Sequence, residues 1–113
     1  TWSKLRVLDL QENKIGAEGA EMIGRNTSWT NLQTLNLSGN NIGSKGAEAL
    51  SLNKSWPNLI TLELSENKIG KEGAISLSQN KIWSNLKTLK LANNTIGDHG
   101  LEAIVKNDTW KNL

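Results

Sequence analysis

The sequence predicts an α/β fold: a right-handed α/β solenoid with a parallel sheet on its concave face and short helices on its convex face. Three observations predict it. Five tryptophans, Trp2, Trp29, Trp56, Trp83 and Trp110, recur every 27 residues, and so do Leu5, Leu32, Leu59, Leu86 and Leu113. No insertion or deletion breaks that register in 113 residues, and a fixed period is the signature of stacked units. Within each copy the hydrophobic period then changes from about two to near-helical, which marks a strand followed by a helix. The chain 1–113 is therefore read as a single repeat domain with copies at 5–31, 32–58, 59–85 and 86–112.

The elements follow in order within a copy. Leu32, Leu35 and Leu37 in LQTLNLSGN have the spacing of an extended segment whose alternate side chains point one way. Asn40, with Asn13, Asn67 and Asn94 at the same place, stands where the strand bends away. A buried amide there can satisfy backbone groups that the turn leaves unpaired. In NIGSKGAEAL, Ile42, Ala47 and Leu50 recur at near-helical spacing, while Gly43 and Gly46 allow a tight turn and close packing. Asn26, Asn53, Asn80 and Asn107 fall where each helix must stop, and asparagine tolerates the left-handed conformation that often ends helices. Pro57 sits in a loop. Strand, helix and strand within 27 residues make a right-handed crossover, so successive strands are expected to be parallel neighbours. Strands need about 4.8 Å each and helices about 10 Å, and this mismatch curves the stack with strands inside.

Composition excludes several functions. Thirteen basic and eleven acidic residues leave a net charge of +2, too evenly mixed for a nucleic-acid stripe. The longest uncharged run, 26–44, is too rich in Asn, Ser and Thr to span a bilayer, so neither nucleic acid nor membrane is expected as a partner. With no cysteine and one histidine, His99, no metal site or cofactor is implied. The glycine pairs, such as Gly16 with Gly19 and Gly70 with Gly73, lack the lysine of a phosphate loop and read as turn chemistry. Glu63 with Glu66, or Asp9 with Glu12, could pair for acid–base work, but on an open sheet nothing desolvates them. No catalytic residue is assigned. The tryptophan row could be a stacking platform for a ligand, yet its place three residues before the first core leucine suits an indole stack closing the core.

At this point the pattern LxxLxLxxNxIGxxGAxxL, carried by Leu5, Leu8, Leu10, Asn13 and Ile15 and their equivalents, resembles the leucine-rich repeat in its long, helix-containing, ribonuclease-inhibitor-like class. The Gly-Ala steps at Gly19-Ala20, Gly46-Ala47 and Gly73-Ala74 are also similar to GALA-type effector repeats and NOD-like receptor arrays. The resemblance implies a horseshoe that binds a protein partner through its concave sheet, without chemistry of its own. It also implies a cytoplasmic protein, or an effector delivered to a host cytosol.

The strand positions that do not enter the core supply the expected contacts: Val7, Thr34, Thr61 and Thr88; Asp9, Asn36, Glu63 and Lys90; and Gln11, Ser38, Ser65 and Ala92. The middle row changes identity in every copy while the core barely changes, as a recognition surface on a repeated scaffold would; drift at exposed positions gives the same pattern. Leu5, Leu8 and Leu10 at one end, and Leu101 and Ile104 at the other, lack a polar cap. The sequence therefore reads as a fragment of a longer array, as a chain that associates end to end, or as the substrate-recognition array of a larger enzyme or effector.

Overall fold

A computed structural model describes residues 2–113. Eight elements alternate along the chain: β1 (Val7–Asp9), α1 (Gly16–Gly24), β2 (Thr34–Asn36), α2 (Gly43–Ser51), β3 (Thr61–Glu63), α3 (Gly70–Ser78), β4 (Thr88–Lys90) and α4 (Gly97–Val105). The strands form one open parallel sheet in the order β1-β2-β3-β4. Its register matches equivalent residues, with Leu8, Leu35, Leu62 and Leu89 side by side. The strands are only three residues long, shorter than the six residues that run from Leu32 to Leu37, because a turn begins as soon as the third core leucine of each copy is placed.

Between the layers lies a continuous apolar core. Leu32, Leu35, Leu37, Ile42, Ala47 and Leu50 of the second copy are fully buried, as are Leu59, Leu62, Leu64, Ile69, Ala74 and Leu77 of the third. Ile104 is also buried, contrary to the expectation that the last helix leaves it bare, whereas Leu101 is 54% exposed. Leu5, Leu8 and Leu10 pack against the core while keeping part of their surface in water.

The indoles stack in one line, with centroids 6.4–6.5 Å apart and planes turned by 11–14° at each step. That rise is intermediate between the spacing of strands and the spacing of helices, as expected for a row lying between the two layers. Trp56, Trp83 and Trp110 are buried, but Trp29 is half-buried and Trp2 is 65% exposed, since it stacks on Trp29 alone. Stacking alone does not bury a ring: Trp29 has an indole on each face and stays half-buried, while Trp110, with one neighbour, is buried.

The asparagine at the helix exit was expected in the left-handed region, and the structure corrects this. Each helix ends on a right-handed residue, Arg25, Leu52, Gln79 or Lys106, and none of Asn26, Asn53, Asn80 and Asn107 has a positive φ. Their amides work sideways instead. Asn53 Nδ2 donates to the carbonyls of Gly24 (2.7 Å) and Asn26 (3.0 Å), and Asn107 Nδ2 donates to those of Ser78 and Asn80. Asn53, Asn80 and Asn107 thus cap the helix of the preceding copy, satisfying carbonyls that a helix end leaves open, whereas the Asn26 amide donates to the Ser28 hydroxyl.

Left-handed backbone appears at the other end of the helix. Glu12, Lys14, Asn41, Glu66, Lys68, Asn93 and Thr95 have φ of 51–57°, and the turn closes on a glycine such as Gly43 at φ 71°. Glycine alone adopts that last conformation without strain.

Candidate concave interface

The site is built on the first asparagine ladder, which the sequence places correctly. Asn67 Nδ2 donates to the carbonyls of Leu37 (2.8 Å) and Leu64 (3.0 Å), while its Oδ1 accepts from the backbone N–H groups of Asn40 (2.8 Å) and Ile42 (3.4 Å); Asn40 and Asn94 repeat the scheme. Asn40, Asn67 and Asn94 are buried, and Asn13 is exposed. Because the ladder fixes each turn against the next, the strand residues before it stand in strict rows.

Those rows are the ones expected. Val7, Thr34, Thr61 and Thr88 are adjacent partners in the sheet, as are Asp9, Asn36, Glu63 and Lys90. Val7, Asp9, Gln11, Lys90 and Ala92 are exposed, while Thr34, Thr61, Thr88, Asn36, Glu63, Ser38 and Ser65 are half-buried. Glu63 and Lys90 approach to 3.9 Å, and Asp9 accepts from the Gln11 backbone N–H and side-chain amide, both at 3.2 Å.

A ridge beside these rows was not foreseen. The left-handed turns hold Glu12, Lys14, Asn41, Glu66, Lys68, Asn93 and Thr95 outward, all exposed. The signal was weak, since lysine and glutamate are not typical left-handed residues. Also missed was a third amide row: Asn31, Asn58 and Asn85 donate to the carbonyls of Ser3, Thr30 and Pro57.

The residues weighed for chemistry are not gathered. Glu66 lies on the turn ridge, Glu63 faces Lys90, and His99 is exposed on α4. Among the described residues, no three His, Cys, Asp or Glu side chains are grouped to hold a metal ion, and no helix is long and apolar enough to cross a membrane. A groove of about 570 Å³ lies away from the sheet, between the C-terminal ends of α1 and α2, with Gly24, Ala49 and Leu52 among its lining and Arg25, Lys45 and Glu48 around it.

An open parallel sheet backed by one helix per strand, with leucine, isoleucine and asparagine at fixed places in every copy, defines a repeat solenoid of the kind that presents a surface rather than encloses a site. The family model for the leucine-rich repeat matches the chain four times, at residues 3–24, 30–51, 57–78 and 84–105. The chain belongs to the leucine-rich repeat family. No curated protein matches it significantly.

Proposed function

We propose that the chain is a non-catalytic protein-interaction scaffold of the helix-containing, ribonuclease-inhibitor-like subtype, working where folded partners occur in a cytosol. Leucine-rich repeats are generally protein-interaction modules, and a nine-residue helix in every copy supports the subtype. The observation that carries the reading is the contrast within each strand. Leu35 and Leu62 are fixed and buried, whereas Asp9, Asn36, Glu63 and Lys90, in register beside them, present four different side chains.

Area extends the surface. Four three-residue strands project only about 200 Å², against about 800 Å² per partner in a standard interface. The contact surface therefore takes in Gln11, Ser38 and Ser65 and the charged ridge at Glu12, Lys14, Glu66 and Lys68.

The test exploits the Glu63–Lys90 pair. Exchanging the two, Glu63→Lys with Lys90→Glu, keeps an ion pair while inverting the polarity of the face. The melting temperature is expected to stay within about 4 °C, since surface pairs contribute at most about 1 kcal/mol. Peptides or small domains selected on the unsubstituted chain from an unbiased display library are expected to lose at least tenfold in affinity for the exchanged chain. They are expected to tolerate Lys45→Glu on the helical side. Selected binders that respond to Lys45→Glu and ignore the exchange place recognition on the helices instead.

A further inference from the structure

The tryptophan ladder is more than a packing device. The chain has no cysteine and no tyrosine, so tryptophan is its most readily one-electron-oxidised side chain along this line. Five indoles follow one another at 6.4–6.5 Å with nearly parallel planes, close enough for an electron to pass between neighbouring rings in single short steps. The rings differ in surroundings. The indole N–H groups of Trp56, Trp83 and Trp110 are buried and have no protein acceptor. Buried donors are nearly always satisfied, and a redox role is one physical reason for an exception.

Oxidation turns an indole into a cation whose N–H is strongly acidic, and losing that proton would trap the charge. At Trp56, Trp83 and Trp110 no protein acceptor lies within hydrogen-bond distance of the N–H, so proton loss is slowed and the charge stays mobile. Burial also disfavours a positive ring relative to an exposed one. Both effects point the same way along the row, towards half-buried Trp29 and then exposed Trp2.

We propose that the ladder is a one-electron relay. A one-electron oxidant, such as a metal–polypyridyl complex or an aromatic radical cation, takes an electron from Trp110. That vacancy is refilled in turn from Trp83, Trp56, Trp29 and Trp2. The net change is one electron gained by the oxidant, with one electron and one N–H proton lost by Trp2, the proton passing to water and a neutral indolyl radical remaining. This is independent of the concave surface and of any partner bound there.

The test uses the absence of cysteine. Asn112→Cys, at an exposed position two residues after Trp110, accepts a tethered ruthenium(II) tris-diimine complex, oxidised to ruthenium(III) by a flash with a sacrificial electron acceptor. A nitroso spin trap then forms a carbon–nitrogen bond with the protein radical, and peptide mass spectrometry locates the adduct. The expected adduct is on Trp2. Trp56→Phe keeps an aromatic ring in the core but breaks the relay, and is expected to reduce the Trp2 adduct at least tenfold in chain whose circular dichroism is unchanged. Trp2→Phe, made at an exposed ring, is expected to move the adduct to Trp29 whether or not Trp56→Phe folds. An intact ladder with no adduct on Trp2, a Trp2 adduct undiminished in folded Trp56→Phe, or a Trp2→Phe chain without an adduct on Trp29 would each overturn the relay.

Discussion

Asn67 bonds five backbone groups in two copies with one amide. Removing it leaves the N–H groups of Asn40 and Ile42 without their acceptor, each costing about 1–3 kcal/mol, while the carbonyls of Leu37 and Leu64 keep the amides of Asn40 and Asn94. Asn67→Ala is expected to lower stability by about 2–5 kcal/mol, read as a shift of the urea midpoint with unchanged slope. Thr95 tests the opposite direction. A β-branched residue at φ 51° is held against its preference. Thr95→Asn, which accepts that conformation, is expected to raise stability by about 0.5–1 kcal/mol, measured by thermal melting. At this scale the sequence was half legible. The period marked the rows of Asn40 and Asn53 as structural but passed over that of Asn58, and the core leucines on both sides of Asn67 placed it inward. Nothing in the spacing said that Asn53 reaches sideways to Gly24 rather than bending its own backbone, because an amide's reach to another copy is set by packing.

Helices were located correctly because glycine, isoleucine and alanine recur at helical spacing, but how closely they pack was not readable. A Cβ on Gly24 would lie 2.6 Å from the backbone oxygen of Ala49, and one on Gly46 would lie 3.0 Å from the Ala20 methyl group. Gly24→Ala therefore pushes α1 off the α2 backbone, which cannot yield as a side chain can. A loss of about 1–3 kcal/mol is expected, measurable by denaturant titration. On α4 the Lys106 ammonium donates to Glu102 at 2.6 Å. That hydrogen bond, and then the lysine's charge, hold the Glu102 carboxyl below the ordinary carboxylate range. A lowered folded-state value means that the contact contributes fully above the ordinary range and is lost as pH falls through the lowered value. Carbon-detected titration of Glu102 is expected to show this midpoint moving back up in Lys106→Met. Strand length was the poorest reading, since leucine alternation continues past the last ladder pair into the turn.

For the whole molecule, the rule is that each copy touches only its neighbours: α1 packs on α2, α2 on α3 and α3 on α4, with the strands paired in the same succession. Stability in such arrays is close to a sum of unit and junction contributions. Excising residues 59–85 joins two positions of equal register and is expected to leave a folded, shorter array with a lower melting temperature. Excising 59–84 leaves Asn85 as one extra residue in the loop before Leu86 and is expected to melt cooperatively at a slightly lower temperature than the exact excision; circular dichroism on heating distinguishes the two. The architecture was legible because the period is unbroken. The binding surface was legible only in part, since strand rows follow from alternation while the charged ridge depends on backbone angles that lysine and glutamate do not advertise.

The asparagine rows carry a further consequence. Because Asn40, Asn67 and Asn94 make the same bonds across successive junctions, those junctions are chemically interchangeable. A refolding chain can therefore dock its second copy directly onto its fourth, extruding 27 residues as a loop while satisfying every amide at the false seam. Such mispaired species are a characteristic hazard of repeat proteins, and here the bonds that make the array orderly also make its errors long-lived.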